Sequence, residues 1–145
     1  MNALQKRLAQ IGTEPHENGL CDGIVYEDTE DRYYWIYNHY SYCEWLKHYM
    51  MHYAGLSWEE ATEKLAQNNL FATPPKDLEN LFCITHELTY HNAMEIAKGN
   101  IYWRDGTPSD TNDFQEEHDV WYKQTKEKYH LNEEYEILSF KEALK

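Results

Sequence analysis

The chain has little that could tie a fold covalently. Three cysteines, Cys21, Cys43 and Cys83, stand at irregular spacings in 145 residues, and no Cys-x-x-Cys pair occurs. An odd count without a framework argues against a disulfide-stapled scaffold and fits a reducing cytoplasm. Six glycines and four prolines are too few for a linker-rich or low-complexity chain. No apolar run nears the roughly 18 residues of a membrane span. The segment MNALQKRLAQIG lacks the apolar region of a signal peptide. Basic residues are scarce too, with 13 Lys and Arg against 26 Asp and Glu, a formal charge of −13. Such a surface repels phosphates and anionic lipid heads. It predicts no direct binding of nucleic acid or membrane, and a basic protein as partner.

Catalytic signatures are missing as well. There is no G-x-S-x-G, no phosphate-binding G-x-x-x-x-G-K and no G-x-G-x-x-G. The HELTYH stretch at 86–91 fails as a zinc-protease helix. Its histidines, His86 and His91, lie five apart rather than four, and diverge by about 140° around a helix. Cys83, between apolar neighbours, reads as a buried helix residue rather than a nucleophile. The sequence therefore predicts no enzyme and no cofactor.

What is present points to a mainly α fold. The expected architecture is a single-domain bundle of four to five helices over residues 1–145. A small two- or three-stranded β element is expected from residues 23–27, 100–104 and 134–140. Leu4, Leu8 and Ile11 mark a first helix ending at Gly12. Asp28 or Thr29 is a candidate cap for a long helix over 30–54, stopped by Gly55. Ser57 and Glu60 form a capping box for the next. Pro75 to Lys98 reads as one helix and 113–129 as the last long one. Ser139 and Glu142 suit a final turn.

Aromatic residues crowd the second helix. The stripe Trp35, His39, Tyr42, Leu46, Tyr49, Tyr53 keeps helical spacing and reads first as core. Tyrosine outnumbers phenylalanine 13 to 4, and each buried hydroxyl needs a partner, so part of this set is expected at a wet surface.

Two rows at i, i+4, i+8 resemble metal ligands: Glu44, His48, His52 and Glu87, His91, Glu95. Facing each other in a bundle they would suit Zn, Fe or Mn. Spacing alone discriminates poorly among eight histidines and 26 acids, and surface Glu–His pairs are the simpler reading.

The acids between 105 and 119 are more telling. Asp105, Asp110, Asp113, Glu116, Glu117 and Asp119 occur without one Lys or Arg, interleaved or flanked by Trp103, Phe114, Trp121 and Tyr122. Acids steer a basic partner and pair with it, while rings supply buried area. These ten residues are the expected partner-binding set. In general character the chain resembles bacterial toxin-immunity proteins, which are small, acidic and without catalytic motifs. No family motif carries the resemblance, so no residue role follows from it. The expectation is an inhibitor that neutralises a nuclease-type toxin. The alternatives are a phage-type nucleic-acid mimic, a helical-bundle metal protein or enzyme, and an adaptor whose aromatic surface holds an oligomer together.

Overall fold

The run Tyr33-Tyr34-Trp35-Ile36-Tyr37 marks the first departure from expectation. Five consecutive aromatic or β-branched residues favour a pleated strand over a helix. In the computed structural model, which describes residues 1–145, they form strand β2 (Tyr33–Tyr37). It pairs antiparallel with β1 (Ile24–Asp28), Tyr26 opposite Trp35. Asp28, expected to cap a helix, instead accepts from Asp31 N–H inside the hairpin turn at 3.0 Å. Arg32 closes that turn with φ 62°.

The helix expected at 30 therefore starts at His39, as α2 (His39–Ala54), and Gly55 ends it with φ 71°. Its N-terminal amides find acceptors in the loop before β1. Tyr40 N–H donates to Cys21 C=O, and Ser41 N–H donates to the Asp22 carboxylate at 2.8 Å. Asp22 thus caps α2 from 19 residues upstream.

The other elements are α1 (Ala3–Ile11), α3 (Trp58–Ala66), α4 (Asn69–Ala72), α5 (Leu78–Thr85), α6 (Thr89–Lys98), α7 (Gln115–Tyr129), β3 (Tyr135–Ser139) and α8 (Phe140–Ala143). The protein is mainly α with one three-stranded antiparallel sheet, order β1-β2-β3. Eight helices replace the four or five expected. One reason is that the single helix expected from 75 to 98 is two. Leu88 is extended (ψ 144°) between α5 and α6. The side chains of Thr85, His86 and Asn92 take the carbonyls of Leu81, Phe82 and Ile84, so the end of α5 is satisfied without continuing. The strand expected at 100–104 is absent. Tyr102–Asp105 is a 3₁₀ turn closed by left-handed Gly106. The Ser57/Glu60 capping box is present, and Ser139 caps α8. Asn2 and Gln5 form a further box at α1.

The chain divides into two compact units, residues 1–42 with 132–145, and residues 43–131. In the first, Tyr34 of the sheet packs on Phe140 of α8, and Arg7 of α1 pairs with Glu136 of β3. Ile36 and Tyr37 are fully buried. Asp22 is 2% exposed and also accepts from Ser41 Oγ at 2.6 Å and Asn132 Nδ2 at 2.7 Å. In the second, Trp45, Leu46 and Met50 of α2 are fully buried with Leu81 and Met94. Tyr122 stacks on Trp45 at 4.1 Å with planes 3° apart, and Trp121 meets the same indole edge-on. No helix is long and apolar enough to cross a membrane.

Candidate functional site

The first turns of α7 carry Glu116, Glu117 and Asp119, and its second half carries Lys123, Lys126 and Lys128. Acids at the N-terminus and lysines at the C-terminus both suit the helix dipole. The distribution makes the acidic patch end abruptly after Asp119. Glu136, in the acidic stretch that follows α7, is instead held by Arg7.

Trp121 is the centre of the α7 surface. Its indole lies against His52 of α2, with centroids 4.8 Å and planes 14° apart, and meets Tyr49 and Tyr53 edge-on. Glu117 ties this cluster together. His52 Nε2 stands 2.8 Å from one carboxylate oxygen, and Tyr53 O–H donates to the other at 2.8 Å. Burial alone would raise the Glu117 carboxyl, but the bonds to His52 and Tyr53 outweigh it and hold it below the usual range. Tyr53 responds in the opposite sense: burial, then the Glu117 hydrogen bond, push its phenol up. Beside them, Tyr49 O–H meets His118 Nε2 at 2.7 Å, while His118 Nδ1 lies 3.1 Å from Asp119. The bonds to His118 and then Gln115 hold the exposed Asp119 carboxyl low. Tyr49 is 3% exposed, so the bond to His118 satisfies a buried hydroxyl.

Two grooves flank the His52–Trp121 stack. One, of about 410 Å³, is lined by Glu116, Glu117, Val120 and Gln124 together with His52 and Trp121. The other, of about 400 Å³, runs from Trp121 past Met51 and Thr125 to His48, Lys128 and Tyr129. Val120 and Tyr129 are 57% and 46% exposed at these grooves. The surface is thus an aromatic ridge with carboxylates at one end and a lysine at the other. His48 packs between Tyr129 and Trp58. Burial lowers its pKa; Glu44 opposes that shift, and Lys47 and Lys128 reinforce it.

Of the ten residues expected to bind a partner, Glu116, Glu117 and Trp121 line the first groove. Asp119 and Asp113 are exposed on or just before α7. Tyr122 has a packing role on Trp45, and Phe114 packs on Tyr53 and Tyr90. Trp103, Asp105 and Asp110 belong to the segment before α7 and line neither groove. Trp103 meets Tyr102 edge-on, Asp105 accepts from Thr107 N–H and lies 3.6 Å from Lys98, and Asp110 accepts from Asn112 N–H.

The two histidine–carboxylate rows do not converge, and nowhere do three His, Cys, Asp or Glu side chains gather as a metal site. Glu44 pairs with Lys47 at 2.6 Å, and Lys47 also sits over Trp58. Glu87 lies in the break between α5 and α6, off the row it was assigned to. His91 pairs with Glu95 and meets Tyr102 O–H at 2.7 Å, where burial pushes the Tyr102 phenol up to about 12. Cys83 is exposed, contrary to the expectation of burial, and Cys43 is buried.

Tyr53, Val120 and Gln124 were missed as site residues, and His52 was singled out only as a candidate metal ligand. Only the order His52-Tyr53 at the end of an aromatic helix hinted at them, because their role depends on which face of α7 they meet. Compared with protein-family models, curated proteins and solved structures, the chain matches none.

Proposed function

We propose that the chain is a binding protein that neutralises a basic enzyme, a nuclease-type toxin being the best fit, as an immunity protein does. The observation that carries this reading is the α7 groove. Exposed Glu116 and half-exposed Glu117 border an aromatic ridge of Trp121 and His52, with exposed Val120 beside it. A guanidinium entering there finds carboxylates to pair with and aromatic rings to stack on, two modes that arginine combines well. The surrounding charge of −13 speeds the approach of a cationic partner.

The test is capture from lysate of the source cells on the immobilised chain. A basic enzyme should be retained, released by salt, and lose activity when the soluble chain is added. The double variant Glu116→Lys/Asp119→Lys should weaken retention by at least about tenfold while folding normally. Retention of no basic protein, or retention indifferent to salt and to the variant, would overturn the reading.

A further inference from the structure

Strand β3 ends its sheet, and its outer edge is bare. No backbone group elsewhere in the chain bonds to the main chain of Tyr135–Leu138 apart from its neighbour β2, and Ser139 caps α8. An edge of this kind is a template for another strand, and proteins usually blunt it with lysine, proline or a bulge. Tyr135-Glu136-Ile137-Leu138-Ser139 holds no lysine or proline, and its pairing with β2 is regular from end to end. Its one charge, Glu136, is bound by Arg7. The opposite edge, β1, is different, because it ends in Glu27 and Asp28.

The β3 edge also exposes apolar surface. Ile137 is 48% and Tyr135 37% exposed, on the same sheet face as Trp35. Tyr135 and Trp35 rings lie 5.3 Å apart, so the face is already ordered.

We propose that two copies of this chain pair through β3, antiparallel about Ile137, into one continuous six-stranded sheet. The sequence of the strand complements itself in that register. Tyr135 falls opposite Ser139, Glu136 opposite Leu138, and Ile137 opposite its own copy. No like charges face each other directly, and the two exposed isoleucines cover one another. A shift by one residue would put this apolar pair on opposite faces, so the register is fixed by the pattern. The inference is independent of the α7 groove, and its salt dependence has the opposite sign. Two chains of charge −13 repel, so added salt strengthens their pairing, whereas it weakens binding of a basic partner.

Sedimentation equilibrium of the purified chain at low and high salt tests it. The expected result is a monomer–dimer equilibrium that shifts to dimer with salt. Ile137→Lys, which sets two ammonium groups opposite each other, should raise the dimer dissociation constant at least about tenfold. In a second variant, Ile137→Cys in a Cys83→Ser background, mild oxidation should link the copies through residue 137. Directly opposed strand residues lie about 4.5–5.5 Å apart at Cα, within disulfide range. A chain that stays monomeric at its highest soluble concentration overturns the proposal. So does a dimer that forms no 137–137 link and withstands Ile137→Lys.

Discussion

Removing the Asp22 carboxylate should cost the fold about 2–4 kcal/mol. The group is 2% exposed and receives three hydrogen bonds, from Ser41 N–H, Ser41 O–H and Asn132 Nδ2. Bonds to a charged acceptor contribute roughly 1.5–3 kcal/mol each. Burying the charge opposes that gain by several kcal/mol. In Asp22→Ala the charge is gone, but so are its partners' acceptors. The Ser41 hydroxyl can turn, and Asn132 keeps a bond to Ile11 C=O at 3.3 Å. Ser41 N–H, in the first turn of α2, has no such recourse and becomes an orphan, at about 1–3 kcal/mol, with loss of a cap besides. Asn132→Ala removes one donor and leaves the carboxylate two, so it should cost less, about 1–2 kcal/mol. The pair should couple by about 1–2 kcal/mol in a double-mutant cycle. Urea unfolding at neutral pH measures the free energies, and amide exchange reports whether Ser41 loses its protection. An Asp22→Ala cost below about 0.5 kcal/mol, with Ser41 still protected, would refute the distant-cap reading.

Trp45→Ala should destabilise by about 3–5 kcal/mol, since the indole is fully buried between Tyr122 and Trp121; chemical denaturation checks it. For His48 the sign follows from burial, which holds its folded pKa below the unfolded value of about 6.5. The unfolded chain then binds the extra proton, so this contribution is whole above about pH 6.5 and is lost as pH falls toward the folded pKa. Stability of His48→Gln, followed over that window, should fall less steeply than that of the parent chain; an unchanged slope would contradict it.

Local chemistry was legible where a few neighbours decide it. The Ser57/Glu60 box, the glycine after α1 and the strand near 24 follow from short-range rules. At 33–37 the residues keep helical spacing, yet their β propensity and a hairpin partner overrule it. Asp22 and Ser41 could not be linked from spacing alone, because a cap supplied from a distance leaves no local pattern. The candidate site was half legible. Charge and aromatic density singled out α7, but which rings served the core was decided by packing. Tyr122 and Phe114 went inward, while Val120 and Tyr129 stayed out.

The pairing of β2 with β3 has a consequence for synthesis. Their partners, Tyr33 with Ser139 through Tyr37 with Tyr135, lie about a hundred residues apart. During translation the β1–β2 hairpin emerges long before its third strand, and a two-stranded hairpin is marginal in water. Until residue 139 has cleared the ribosome, Trp35 and Ile36 have no neighbour on that side. The nascent hairpin therefore keeps one edge unpaired through most of synthesis, and that exposure lengthens when elongation slows.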